Sequence, residues 1–135
     1  MKKPKQNKDF PIVLACQTEE AIATRDFLSR IADKWSVLIV LVLSQQPNHR
    51  ARFSDLKNGI SGISQTMLTS TLRALERDGI VERELFPEVP PRVEYELTKC
   101  GLSVLEPMNA LVNWVNKNWS TVKRSREAFD VRRKG

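Results

Sequence analysis

Residues 52–98 constrain this chain more than any other stretch. They read RFSDLKNGISGISQTMLTSTLRALERDGIVERELFPEVPPRVEYELT, and the hydrophobic period changes within them. A short helix is predicted from Ser54 to about Asn58, with Ser54 as its N-cap. Gly59-Ile60-Ser61-Gly62 then supplies the residues of a tight turn. Ser64 is placed to cap a second helix that closes at Asp78-Gly79, with glycine just past the end. At about 100° per residue, Met67, Leu68, Thr71, Leu72 and Leu75 share one side of that helix. Gln65, Thr66, Thr69, Ser70, Arg73 and Arg77 share the other. From Val81 the period falls to two. Val81 to Phe86 and Arg92 to Leu97 alternate as half-buried antiparallel strands, and Pro87-Glu88-Val89-Pro90-Pro91 forms a stiff loop between them.

Helix, turn, helix and hairpin together make a winged helix-turn-helix: a mainly α chain with a small β-wing (α+β), whose second helix is built to enter a DNA groove. A solvated amphipathic helix normally mixes both charge signs on its polar face. Here the polar face carries hydroxyls, an amide and two guanidiniums, with Glu76 only at its edge. Such groups approach a groove closely, bond phosphates and read base edges. Ser64, Gln65, Thr66, Thr69, Ser70 and Arg73 are the expected major-groove set, with Gln65 suited to adenine and Arg73 to guanine. Arg77, at the far end, suits a phosphate or a structural ion pair. Arg52, Lys57 and Arg92 are phosphate candidates, with Pro90 in the wing loop. Arg92 fits an ion pair with Glu94 or Glu84 equally well.

The flanks read as helices. One is expected after Thr18, with Glu19 and Glu20 in its first turn and Phe27, Leu28 and Ile31 as apolar positions. The next, from Lys34-Trp35 to Gln46, is apolar nearly all round and reads as a buried spine. After the wing, Thr98 caps a further helix, and Pro107 forces a kink or restart. Met108, Leu111, Val112, Val115 and Trp119 then recur at helical spacing. With Phe27 of the first helix they are expected to form a homodimer interface, against the alternative of packing within the chain. Trp35, Trp114 and Trp119 are read as core, or as the lining of a ligand pocket.

At 135 residues one domain is expected: a flexible basic arm (1–15), the winged-helix body with its dimerisation helices (16–122) and a basic C-terminal tail (123–135). Net charge is +6, unevenly placed. Residues 1–9 hold four lysines and one acid (+3), and residues 123–135 hold six bases and two acids (+4), which leaves the body at about −1. The overall basicity is therefore weak evidence for DNA by itself, although basic tails add salt-sensitive phosphate affinity. The basic start lacks the apolar stretch of a signal peptide, and the run Val37–Leu43 is far short of a membrane span, so a soluble cytoplasmic protein is expected. His49 lies in a polar loop without ligand-spaced companions, and no phosphate loop or Cys/His cluster appears. Neither an enzyme nor a cofactor is expected.

The strings Lys34-Trp35, RFSDL (52–56), GISQTMLTSTLRALERDGIVERE (62–84), PEVPPRVEYELT (87–98), Gly101 and Trp114 resemble the HxlR-type winged-helix transcription regulators of the wider MarR-like group. The resemblance spans roughly residues 16–119. It implies a homodimer that binds double-stranded DNA at a near-palindromic operator and represses or activates transcription. The family's loop before RFSDL is shorter and contains glycine; Gln46-Pro47-Asn48-His49 here is longer and more polar. In several members a cysteine just before the first helix senses electrophiles or oxidants. Cys16 matches that place, though Gln17 follows it where many members have proline. Cys100 is not usual for the family and reads as a small residue at a helix start. Two other readings remain: a winged helix used for protein interaction with only non-specific DNA affinity, and a regulator controlled by a small-molecule ligand.

Overall fold

Helix α1 (Glu19–Ile31) begins at Thr18, whose hydroxyl accepts a hydrogen bond from the Ala21 amide at 3.2 Å. The computed structural model describes residues 18–134, so Cys16 and the arm 1–15 lie outside the described residues. Asp33 caps α2 (Lys34–Ser44) through the Trp35 amide at 3.1 Å. The reading of α2 as the spine holds: Ser36, Ile39, Val40 and Leu43 are buried, at the centre of the core.

Within the 3-10 turn that follows (Pro47–His49), Asn48 and His49 both adopt positive φ. Asn and His tolerate that region better than most residues, so no glycine is needed there. The turn delivers a strand not anticipated from the sequence, β1 (Arg50–Arg52). Pairing holds the chain extended as far as Arg52, and helix α3 (Phe53–Gly59) starts at once. The cap expected at Ser54 is therefore not made. Arg52 occupies the N-cap position without a side-chain bond, and half-buried Phe53 packs on the core.

Gly62, at φ 83°, completes the turn into α4 (Gln65–Arg77), where the Ser64 hydroxyl accepts from the Met67 amide at 3.0 Å. Leu68, Thr71, Leu72 and Leu75 are buried, with α4 packed against α2 and strand β2 (Val81–Phe86). A fully buried leucine contributes about 2 kcal/mol over an exposed one, which suffices to fix the helix's rotation. Met67 departs from expectation, with 41% of its surface exposed. It sits in the first turn, where Gln65, Thr66 and Met67 all project beyond the body.

Strands β2 (Val81–Phe86) and β3 (Arg92–Leu97) form the wing with the predicted bounds. The antiparallel sheet has the order β1-β3-β2, pairing Val81 with Leu97, Phe86 with Arg92 and Arg52 with Glu94. The root of the wing is closely built. Thr98 donates its backbone amide to the Ile80 carbonyl at 3.0 Å, and its hydroxyl caps the next helix by accepting from Gly101 at 3.0 Å. A Cβ on Gly101 would lie 2.2 Å from the Ile80 carbonyl oxygen, so only glycine fits this approach.

Helix α5 (Lys99–Ser103) breaks at Val104 and α6 (Leu105–Lys134) restarts with Pro107 in its first turn, where a missing amide costs little. The segment 123–134, expected as a flexible basic tail, is instead the C-terminal part of this 30-residue helix. Its composition is compatible with a helix: Phe129 lies under Arg133, and Trp119 lies under Arg126 with the guanidinium 5.2 Å from the ring centre. Trp114 and Trp119 are half-exposed rather than core residues, whereas Trp35 packs against the core.

Candidate nucleic-acid interface

The polar face of α4 follows from how the helix is seated. Once Leu68, Leu72 and Leu75 point inward, Ser64, Gln65, Thr66, Ser70, Arg73 and Arg77 must point out, and all six are exposed. Thr69 is half-buried at the edge facing the wing. The Ser70 and Thr71 hydroxyls donate back to the Met67 carbonyl at 3.2 and 2.7 Å. Thr71 is thereby satisfied inside, and Ser70 presents its oxygen as an acceptor. The C-terminal end is tethered to α1: the Arg30 guanidinium bridges Asp78, the C-cap of α4, at 3.2 Å and Asp26 at 3.1 Å. A helix capped at one end and tethered at the other presents its face without rearranging.

Between α4 and the wing lies a cleft of about 850 Å³, lined by Arg52, Phe53 and Ser54, by Thr69, Arg73 and Glu76, by Arg83 and Tyr95, and by the loop 88–92. The loop carries a cis Val89–Pro90 peptide, with Val89 wholly exposed at the tip. Arg52, Arg73 and Arg83 make no ion pair among the described residues, and neither do Lys57 and Arg77.

The wing's outer face differs in character. Strand register puts Glu82 opposite Glu96 and Glu84 opposite Glu94, and like charges directly opposed destabilise a sheet. Arg50 resolves the conflict by reaching Glu84 at 3.0 Å, Glu94 at 2.7 Å and Glu96 at 3.5 Å. Its hydrogen bond holds the Glu94 carboxyl below its ordinary range, against desolvation that raises it, and the same bond raises Arg50. Of the two alternatives for Arg92, the ion pair is present: it lies 3.0 Å from Glu94 and 3.2 Å from Glu88, with its guanidinium 4.0 Å from the centre of the Phe86 ring.

Two arginines escaped the sequence reading. Arg50 belongs to the unanticipated β1, although the acids at alternate positions of both wing strands signalled that a cation was needed. Arg83 is hidden between Glu82 and Glu84, yet strand alternation turns it to the face opposite theirs, paired with Tyr95. Among the described residues there is no metal-binding cluster, and no helix is long and apolar enough to cross a membrane. His49 is occupied locally, its Nδ1 3.2 Å from the Ser44 carbonyl.

A capped helix displayed beside a two-stranded wing defines the class: a winged helix-turn-helix transcriptional regulator. The chain belongs to the HxlR-like helix-turn-helix family, which it matches over residues 30–123. It is 40% identical over 108 residues to YtfH of Escherichia coli, described as an HTH-type transcriptional regulator, covering 80% of this chain and 83% of that one. The solved structure of ytfH from Salmonella typhimurium superposes with a TM-score of 0.70 at 39% identity, covering 77% of this chain and 90% of that one. The redox regulator HypR, solved in its oxidised form, superposes with a TM-score of 0.62 at 33% identity, covering 71% and 96% respectively.

Proposed function

We propose that this chain binds a near-palindromic operator as a homodimer, with α4 of each protomer in the major groove. The observation that carries the reading is the exposed face of α4, with Gln65, Thr66, Ser70 and Arg73 displayed from a helix whose opposite side is fixed by buried leucines. Gln65 is suited to adenine and Arg73 to guanine. Dimerisation is supported by apolar surface on the flanking helices: Leu111, Trp114, Val115 and Trp119 on α6 and Ile22 and Leu28 on α1 are all exposed. Apolar surface gathered on a monomer commonly marks an interaction site, and a second copy of the chain is the proposed occupant. Of the remaining interface candidates, Phe27 and Val112 are half-buried, and Met108 is taken up by the protomer's own core. Two recognition helices about 34 Å apart then reach successive major grooves on one face of a duplex.

Selection from random duplex DNA at physiological salt tests this. An enriched inverted repeat with half-sites about one helical turn apart is the expected result. Salt-sensitive binding without enrichment would replace it with a protein-interaction module.

A regulatory reading is favoured by the likeness to HypR. Cys16, which precedes α1 in the sequence, is the proposed oxidant or electrophile sensor, reacting as its thiolate. Mild diamide treatment should modify Cys16 and change operator affinity. Affinity that persists with Cys16 modified would instead point to a small-molecule effector.

A further inference from the structure

We propose that Arg83, rather than Arg92, is the wing's contact to the DNA backbone, and that it grips the strand passing through the cleft between α4 and the wing. The inference rests on the DNA-binding reading above and adds a residue to it. A helix seated in the major groove and a hairpin reaching the adjacent minor groove must straddle the phosphodiester strand that separates those grooves. The space between helix and hairpin here is the cleft lined by Arg52, Arg73, Arg83 and Arg92; Arg92 is held by Glu88 and Glu94, which leaves one guanidinium without an ion pair on each of β1, α4 and β2.

The wing's arginines are sorted by strand alternation. Arg50 and Arg92 fall on the face that carries Glu82, Glu84, Glu94 and Glu96, and both are held by carboxylates at 2.7 to 3.5 Å. A phosphate competing for Arg50 must first break charge-assisted hydrogen bonds, and one competing for Arg92 must displace its ion pairs. The Arg92 guanidinium also lies 4.0 Å from the centre of the Phe86 ring, which makes it a brace for the hairpin. Arg83 falls on the other face, opposite Tyr95, and is exposed. Glu76 and Glu88 border the same cleft, yet neither pairs with Arg83. A cation facing a groove-shaped cleft beside two others, with no carboxylate partner among the described residues, has the placement a phosphate contact needs. Neutralising a phosphate releases counterions whatever the base sequence, so such a contact is read in the salt dependence of binding.

The test measures affinity against salt for wild type, Arg83→Ala, Arg83→Lys and Arg92→Ala. The probes are a duplex enriched by selection and a random-sequence duplex of equal length, and thermal melts report folding. Arg83→Ala should weaken both duplexes about equally, roughly three- to tenfold near physiological salt. Its log–log salt slope should be shallower by about 0.9 per bound protomer. Arg83→Lys should keep the slope, because lysine retains the charge. Arg92→Ala should lower the melting temperature and leave the slope unchanged. An unchanged slope in Arg83→Ala, a loss confined to the selected duplex, or a slope change in Arg92→Ala in its place would each overturn the assignment while leaving the regulator reading standing. Wild type that binds neither duplex would remove that reading, and the inference with it.

Discussion

Arg73 and Arg50 show how residues of one type take different tasks in one small domain. Arg73 stands exposed on α4, at the cleft, without an ion-pair partner among the described residues. As a base reader its loss should cost about 1–3 kcal/mol and relax one operator position. Binding of Arg73→Ala to a panel of single-base operator variants checks this, and equal weakening of all of them would mark a phosphate contact. Arg50 is three-quarters buried and serves three carboxylates, so Arg50→Ala should leave opposed glutamates repelling and lower the melting temperature by several degrees at neutral pH. The pH dependence has a definite sign. Glu94 has a lower pKa folded than unfolded, so its contribution is fully present above the ordinary glutamate value. It is lost as pH falls through that value and then through the folded one. Melting temperature measured from neutral to acid pH should therefore fall less steeply in Arg50→Ala than in wild type.

Among the elements, α4 is secured independently at each end. Ser64→Ala removes a side-chain cap and should cost about 1 kcal/mol of stability, read as a shift in the denaturation midpoint with unchanged slope. Most of α4 was legible from sequence because cap, amphipathic stripe and terminal glycine agree on one helix. The exposure of Met67 was not legible, since helical phase says which side a residue is on and not where the helix leaves the body. Strand β1 was not legible for a related reason. Three residues carry too little alternation to register, and Arg50–Arg52 is extended only because β3 lies beside it. The start of α3 moved with it, from the expected Ser54 to Phe53.

For the whole molecule, the open question of surface is quaternary. Helix α6 extends about 45 Å at 1.5 Å per residue, packs against α2 and α5, and buries Met108 near its start. Light scattering at micromolar concentration should give about twice the chain mass of 15.5 kDa. A polar substitution in the stripe, such as Trp119→Glu, should shift the population toward monomer and weaken operator binding. A monomeric wild type would refute the dimer and with it the paired-groove geometry.

The sequence by itself determined the local structure: where α1, α2 and α4 begin, the bounds of both wing strands, the break before α6 and the polar make-up of the presented helix face. Each depends on caps, periodicity and turn residues that act within a few positions of themselves. Tertiary structure alone decided which charges remain available. Arg50, Arg83 and Arg92 are alike in sequence, but register across the sheet joins Arg50 to carboxylates distant in the chain and turns Arg83 into the cleft, while Arg92 is held by its near neighbours Glu88 and Glu94. It likewise decided that residues 123–134 continue a helix. Partnership between charges is set by distance in space, and only the packed sheet and helices fix that distance.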